Sequence, residues 1–498
     1  MQRNRVVFAA GMGITLSLIL ALVASAATAL TVVSTDPFTN ATSFHATEVE
    51  PDTFANGSTI VSTFQSGRFQ DGGASNIGFA TSTNAGATWQ HGFLPSTTVF
   101  ATPPGRFDRA TDPAVAFDAK HGVWLINSLG LNVKRNGIIG TAVFVNSSTN
   151  ATTWSAPINV AVATGGQNFD KNWIACDNTA TSPHFGNCYV EWDDFGHLNQ
   201  LHMAVSSDGG NTWAQSRVPR HSVVIGGQPL AQPNGHVIVP IDSGNESTLE
   251  SFVSVDGGAS FTGPFTVAGI TSHTEAGSLR SGPLPTAEID GAGQVYVAWE
   301  DCRFETGCTA NDIVFSTSSD GQTWTAPARV PIDPVGSNVD HFLPGLAVDT
   351  TTSGNTAHLA LTYYFYPNTN CTATTCQLDV GFVSSTNGGS TWSTSTQLAG
   401  PTTLTSLPDT SQGFMVGDYI STSFVTTATN TRAAQTVFAV GVTVPNKTCT
   451  LGDITSCNEP MEAPSAALAV TGGTVAVAAD PVLSATSDHP APMNIRHE

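Results

Sequence analysis

The chain alternates between short apolar runs and clusters of Gly, Asn, Asp, Ser and Thr. Typical apolar runs are Val123-Trp124-Leu125-Ile126 and Tyr296-Val297-Ala298-Trp299, each only a few residues long. Almost no segment repeats its apolar residues every 3.6 positions, which is the period of an amphipathic helix. Short, β-branched and aromatic runs between turn residues are typical of strands. The pattern therefore predicts an all-β protein with little helix.

One turn sequence, Ser/Thr-x-Asp/Asn-x-Gly-x-Thr-Trp, occurs six times along the chain. Ser206 to Trp213 is a full copy, and two of the six are one residue shorter; the copies close on Trp89, Trp154, Trp213, Phe261, Trp324 and Trp392. Asp and Asn bond nearby backbone N–H groups, and Gly supplies positive φ, so the sequence favours a tight turn. A repeat at this spacing predicts a β-propeller of four-stranded antiparallel blades.

The strands that follow the sixth copy suggest how the propeller closes. Val416–Val425 and Thr436–Val442 are strand-like, and either Pro460–Val470 or a strand near the N-terminus could complete their blade. Such a blade would remove open sheet edges. Seven blades are favoured over six.

The two ends of the 498-residue chain differ from the middle. Residues 1–29 have the features of a secretory signal peptide: Arg3 and Arg5 precede the apolar run Ile14–Val23, and small residues follow it. Residues 30–470 are assigned to the propeller and 471–498 to a loose C-terminal tail. A membrane anchor is the alternative, but the apolar run is short and no other span follows it, so a secreted, extracellular protein is expected. The net charge of −21 disfavours nucleic-acid binding.

Eight cysteines form four close pairs in the sequence. In a secreted chain such pairs favour local disulfides, and the spacings of zinc sites are missing. The pairs are Cys176 with Cys188, Cys302 with Cys308, Cys371 with Cys376, and Cys449 with Cys457.

No cofactor or metal site is predicted from the sequence. The acidic residues Asp170, Asp193 and Asp194 could hold a structural Ca²⁺ ion, and solvated loop carboxylates are the favoured alternative.

A second repeat precedes several of the turns and singles out one carboxylate. Four strand-like runs end in Asp, and at the same position three of them carry Ala116, Ala175 and Ala347 while the fourth carries Glu288. A carboxylate that breaks its own repeat is often functional. A structural ion pair or a solvated side chain is the alternative.

The six-fold turn resembles the Asp box of sialidases, and four further stretches are similar to their active-site segments. The resemblance implies a propeller whose active site lies on the side away from the boxes. It implies Asp71 as acid/base, Glu288 as the base that activates the nucleophile Tyr419, and Arg303 as a substrate-binding residue. Arg68 is a further candidate for substrate binding, at a position that does not match the family pattern. A Tyr nucleophile suits a sialoside because the substrate carboxylate repels a carboxylate nucleophile. An Arg fork binds both carboxylate oxygens.

Two arginines of the family pattern have no match here. Residues 43–50 and the stretch between Trp392 and Tyr419 contain none. The first predicted function is a secreted sialidase-like hydrolase that releases terminal sialic acid by a retaining mechanism. The alternative is a non-catalytic propeller that binds glycan or protein at the cell surface, and a third is a propeller enzyme of another specificity. A monomer is expected in each case.

Overall fold

The computed structural model describes residues 28–135, 137–445 and 447–476. Most of the predicted signal peptide, residues 1–27, lies outside the described residues, as do residues 477–498 of the predicted tail.

The described chain is built almost entirely of short strands. Its only helical segments in these ranges are four one-turn 3₁₀ helices, Phe195–His197, Ala276–Ser278, Gly354–Thr356 and Leu404–Ser406. The strands are β1 (Leu30–Ser34), β2 (Glu48–Asn56), β3 (Thr59–Arg68), β4 (Ala74–Ser82), β5 (Gln90–Phe93), β6 (Arg109–Asp118), β7 (Val123–Lys134), β8 (Gly137–Ser148), β9 (Ile158–Val162), β10 (Phe169–Cys176), β11 (Cys188–Asp194), β12 (Gln200–Ser206), β13 (Ala214–Gln215), β14 (Val224–Ile225), β15 (Leu230–Ala231), β16 (Val237–Ser243) and β17 (Thr248–Ser254). They continue with β18 (Thr262–Gly269), β19 (Thr286–Ile289), β20 (Val295–Asp301), β21 (Asp312–Ser318), β22 (Ala328–Arg329), β23 (Asp340–Val348), β24 (Leu359–Tyr366), β25 (Gln377–Ser385), β26 (Thr391–Trp392), β27 (Thr396–Thr403), β28 (Asp409–Thr410), β29 (Gly413–Phe414), β30 (Ser421–Thr426), β31 (Arg432–Ala439), β32 (Met461–Pro464) and β33 (Val475–Ala476).

These strands form antiparallel sheets arranged as a propeller, which confirms the predicted fold class. Five blades are separate sheets: β10 to β13, β14 to β18, β19 to β22, β23 with β24, β25 and β27, and β30 with β31, β32 and β1. The prediction of six or seven blades is therefore wrong. Strands β2 to β9 form one continuous eight-stranded sheet, because Ala74 of β4 pairs with Ala110 of β6.

The two ends of the chain share a sheet, as the sequence suggested. Strand β1 pairs with β32, which pairs with β31 and then β30. The innermost strands contact one another in a ring, from β2 through β6, β10, β15, β19 and β23 to β30 and back to β2. This ring surrounds the central channel. Strand β33, from the segment assigned to a loose tail, pairs with Thr391–Trp392 of β26.

The repeated turns join the third and outer strands, and the hydrogen bonds of one turn explain its sequence. The Ser206 hydroxyl accepts the N–H of Gly210 at 3.0 Å, and the Asp208 carboxylate accepts the N–H of Thr212 at 2.9 Å. Gly210 has φ +81°, and its carbonyl accepts the indole N–H of Trp213 at 3.1 Å. Three turns, which begin at Ser82, Ser254 and Ser385, repeat the first two contacts.

The core lies between neighbouring sheets rather than at one centre. Middle strands pack against the next sheet: Leu125 shares a buried cluster with Trp192, Ile238 shares one with Trp299, and Tyr296 shares one with Trp392. The packing of each pair removes large apolar surfaces from water, which stabilises the fold by roughly 25 cal/mol for each Å² of apolar surface buried.

All four predicted cysteine pairs are disulfides in the structure. Cys176–Cys188 joins β10 to β11, and the other three close short loops between the second and third strands of their sheets. No helix in the described part of the chain has the length and apolar character needed to cross a bilayer.

Candidate ligand site in the central channel

The channel has two different ends. In each sheet the inner strand turns into the second strand at one end, which we call the turn end; Gly57, Ala119, Asn178, Gly291 and Thr350 lie there around one cavity. Because strands in a blade alternate in direction, the repeated turns between third and outer strands lie at this same end. We call the opposite end, where the inner strands begin, the bulge end.

Four inner strands carry the same β-bulge at the bulge end. The pairing register shifts at Glu50 in β2, Asp112 in β6, Lys171 in β10 and Leu343 in β23. Each residue has a positive φ, between 47° and 56°. Such a backbone costs non-glycine residues of order 1–3 kcal/mol, and bulges often re-aim side chains beside functional sites.

Neighbouring bulges are hydrogen-bonded to each other. The Asp112 carboxylate accepts the backbone N–H of Lys171 at 2.8 Å, and the Asn172 amide donates to the Asp112 carbonyl at 2.9 Å. The Gln65 amide donates to the Glu50 carboxylate and, at 2.9 Å, to the Thr111 hydroxyl. The bulges therefore support one another across three strands, which stabilises their strained backbone.

A buried ion-pair network fills the bulge end. Asp418 contacts the Lys171 ammonium, and its Oδ1 accepts Nε–H of Arg280 at 2.6 Å; all three side chains are at least 95% buried. Burial alone would raise the pKa of Asp418, but Arg280 and Lys171 hold it well below its usual range. Burial would lower the pKa of Lys171, but Asp418, Asp112, Asp170 and Glu50 together raise it well above its usual value.

Tyr419 follows this network and is held by its hydroxyl. The Tyr419 hydroxyl donates to the Pro113 carbonyl at 3.1 Å, and its ring packs edge-on against Trp173. Burial, together with nearby carboxylates that include Glu50 and Asp112, raises the pKa of Tyr419 well above 10. A cavity of about 20 Å³ lies beside it, which is room for one or two water molecules.

The turn end holds the large cavity. Its volume is about 550 Å³, within the ~300–1,000 Å³ range of small-molecule sites. The half-buried rings of Phe54, Phe117 and Trp173 line it from β2, β6 and β10, and Glu288 lines it from β19. Aromatic faces with a few polar groups are the usual composition of a ligand site.

Two carboxyl groups in this cavity have raised pKa values. Burial, with a smaller contribution from the charge of Asp52, raises the pKa of Glu288 to about 8. Burial also raises the pKa of Asp52 to about 7, although its Oδ2 accepts the N–H of Val115 at 2.7 Å. Both groups can therefore donate or accept a proton near neutral pH.

The predicted catalytic residues lie at different ends of the channel. Glu288 is one residue from the end of β19 and lines the turn-end cavity, whereas Tyr419 lies beside the bulge-end network. Asp71 lies in the loop from β3 to β4, also at the bulge end, and its carboxylate accepts a 2.7 Å bond from Arg109. Its side chain is 57% exposed.

The two predicted substrate-binding arginines already have protein partners. Arg68 is buried, and its guanidinium donates to the Gly73 carbonyl at 3.0 Å and to the Met415 sulfur at 3.2 Å. Arg303 lies in a loop and bonds the Asp301 carboxylate through two nitrogens, at 2.9 and 2.6 Å. Neither lines the channel cavities.

The sequence interpretation missed Lys171, Arg280 and the bulge residues. A signal for the bulges exists: Glu50, Asp112, Lys171 and Leu343 each stand six positions before the Asn or Asp of the next turn. In three of the four, the next residue is Pro. The sequence carries no comparable signal for Arg280, because this residue lies in a loop and comes next to the buried ion-pair network only when the chain folds.

The acids proposed for Ca²⁺ are not solvated loop residues, which corrects that expectation. Asp170, Asp193 and Asp194 are buried at the paired ends of β10 and β11. Asp194 accepts the N–H of Asn168 at 2.9 Å and contacts His197 at 2.7 Å.

Within the described ranges, one group has the spacing of metal ligands: Asp312, Asp333 and His341. Arg329 already bridges the two carboxylates of this group, at 2.6 and 2.5 Å. The positive guanidinium therefore occupies the place of a cation between them.

Comparisons with known proteins give neighbours by structure. No family model and no curated protein sequence matches the chain. A Hadza microbial sialidase matches with TM-score 0.43 and 17% identity, over 64% of this chain and 63% of that one. A protein of unknown function from Dyadobacter fermentans matches with TM-score 0.45 and 16% identity, over 71% of this chain and 98% of that one.

A Trypanosoma rangeli sialidase in complex with the inhibitor DANA matches with TM-score 0.43 and 14% identity, over 68% of this chain and 54% of that one. The chain thus spans less than two thirds of the length of either sialidase. The propeller is defined by the chain's own sheets, and these likenesses concern the fold alone.

Proposed function

We propose that this protein is an extracellular carbohydrate-binding propeller, built on Asp-box repeats, whose ligand occupies the turn-end cavity. This corresponds to the non-catalytic alternative of the sequence analysis. The observation that carries the proposal is the 550 Å³ cavity itself, which is lined by both aromatic side chains and carboxyl groups. Flat rings and hydrogen-bonding groups suit the two kinds of surface that a sugar presents, its C–H faces and its hydroxyls. The four disulfides support an extracellular location.

The placement of Tyr419 favours binding over a Tyr-nucleophile mechanism. A phenol attacks only when a base takes its proton. Here the hydroxyl donates to a backbone carbonyl, and the surrounding acids raise the pKa of the phenol further. The base that the resemblance assigns, Glu288, lines the cavity at the other end of the channel.

A retaining sialidase is the second candidate, and one observation favours it. Strained bulges and a buried network of Lys171, Arg280 and Asp418 surround Tyr419, and strain of this kind concentrates at active sites. In this candidate Asp71, Glu288 and Tyr419 keep the roles given by the resemblance.

The test combines a glycan array with a fluorogenic α-sialoside, using the full secreted chain. Saturable binding of one glycan class without release of the fluorophore between pH 4 and 8 supports the binding function. Turnover that Tyr419→Phe abolishes would establish the hydrolase instead. Glu288→Ala serves as the matched variant, because Ala stands at this position in three sister strands. It should weaken glycan binding while the protein stays folded.

A further inference from the structure

The turn-end cavity contains four charged or titratable side chains, and three of them are committed to the protein. They are Asp52, Glu288, Asp290 and Arg432. Asp290 accepts the N–H groups of Ala292 and Gln294, each at 2.9 Å, and so holds its own turn. Arg432 donates to the Asp349 carboxylate at 3.0 Å. Asp52 is buried, and its Oδ2 accepts the N–H of Val115 at 2.7 Å. The carboxyl group left to meet a ligand is that of Glu288.

The aromatic wall attracts the same kind of ligand as these carboxyl groups. The π faces of Phe and Trp are negative, so a cation over the ring is stabilised electrostatically. Phe54, Phe117 and Trp173 come from neighbouring inner strands, and Glu288 comes from β19, several strands further around the channel. A positive group in the cavity would meet aromatic side chains on one wall and the carboxyl group of Glu288 on another.

We infer that the turn-end cavity selects sugars that carry a protonated amine, of the glucosamine type, over neutral and acidic sugars. This inference rests on the proposed function, because the cavity alone defines the charge of the ligand and not that it is a sugar. An acidic sugar would face the carboxyl group of Glu288, with that of Asp52 buried nearby, and the single arginine of the cavity is already paired. The cavity is therefore opposite in charge preference to a site built for sialic acid.

Proton release accompanies this mode of binding. In the free protein both Asp52 and Glu288 retain protons near neutral pH, because enclosure in the channel disfavours their charged forms. An ammonium group beside Glu288 favours its ionised carboxylate and expels a proton to solvent. The proton leaves from Glu288, and the amine keeps its own.

The experiment titrates the full chain at pH 7 with a glucosamine trisaccharide and, separately, with the N-acetylglucosamine trisaccharide. Calorimetry in two buffers of different protonation enthalpy measures both affinity and proton release. We expect at least about tenfold tighter binding of the amine form, with net proton release. Glu288→Gln should abolish both the preference and most of the proton release. Glu462→Gln, in β32 away from the channel, should retain them.

Each outcome has a defined meaning. Equal affinity for the two trisaccharides would overturn the amine preference and leave carbohydrate binding intact. Tighter binding of sialyllactose than of the glucosamine form would also overturn it. Binding of no saccharide, with lysine peptides bound instead, would overturn the proposed function and keep only the cation preference of the cavity. If Glu288→Gln fails to fold, Glu288→Ala replaces it, because the sister strands already tolerate Ala there.

Discussion

The two ends of the channel are built from the same inner strands but differ in backbone, charge and open volume. At the bulge end, strained residues carry Glu50, Asp112 and Lys171 into a closed ion-pair network. At the turn end, the same strands run into ordinary hairpins around a 550 Å³ cavity, with Glu288 as a partly exposed carboxyl group. The polar groups of the bulge end bond the protein, whereas at the turn end Glu288 remains accessible to a ligand.

This difference shows that the backbone conformation and the side-chain chemistry vary independently within one repeat. The bulge recurs with nearly the same φ at Glu50, Asp112, Lys171 and Leu343, although these side chains are acidic, basic and apolar. The β-bulge therefore forms independently of the type of side chain at that position. By contrast, the repeats differ in chemistry at one position of the turn end, where Glu288 replaces the Ala of sister strands.

The largest expected effect tests whether the bulge end is structural. Asp418→Ala leaves Lys171 and Arg280 buried together without their shared carboxylate. Breaking a buried pair in this way costs about 3–5 kcal/mol, and urea unfolding measures that loss. Asp453→Ala is the control, since the Lys447–Asp453 pair lies at the surface and its removal should leave the midpoint unchanged. A similar midpoint for both variants would remove the structural contrast between the two ends.

The next effect tests whether the turn end binds ligand. Trp173→Ala removes one aromatic face of the cavity and should weaken glycan binding about tenfold. Trp213→Ala is the matched control, because Trp213 is also a half-buried tryptophan that belongs to the same blade but lies in a repeated turn. Calorimetry on both variants checks the prediction. Equal losses of affinity would mean that Trp173 acts through stability and not by contact.

A smaller effect concerns the Tyr419 hydroxyl. Tyr419→Phe removes one buried hydrogen bond, to the Pro113 carbonyl, and should cost about 0.5–1.5 kcal/mol of stability. Tyr363→Phe loses a comparable bond to Ser395 and should show a similar cost. Chemical denaturation compares the two. Glycan affinity should be unchanged in Tyr419→Phe; a marked loss would place the ligand at the bulge end.

The smallest effect is a pair of pH dependences with opposite signs. The raised pKa of Glu288 means that the folded state binds its proton more tightly, so this group lowers stability as pH rises from about 4.5 through about 8. Glu288→Gln should reduce this loss of stability with rising pH. The depressed pKa of Asp418 gives stability that is present above pH 3.8 and lost below it. Asp418→Asn should instead reduce the loss of stability at low pH. If both substitutions changed the pH dependence of stability in the same direction, the expected difference between Glu288 and Asp418 would be wrong.

Much of the fold could be predicted because its signals are local. The Ser206 to Trp213 turn closes through bonds within a few residues, and all four disulfides join cysteines at most 12 positions apart. Glu288 could be found for a related reason: the repeat supplied its own reference residues. The division into separate blades could not, since the single Ala74–Ala110 pair that joins two sets of strands depends on how the loops bring them together.

The candidate site was harder to predict because its partners are far apart in the chain. Lys171 meets Asp418 across 247 residues, and Tyr419 bonds Pro113 across 306. The sequence by itself determined the strands, the repeated turns, the disulfides and the acidic charge, all of which arise from neighbouring residues or from composition. Only the tertiary structure decided that Tyr419 and Glu288 lie at different ends of one channel, because closing the ring fixes which strand ends face each other.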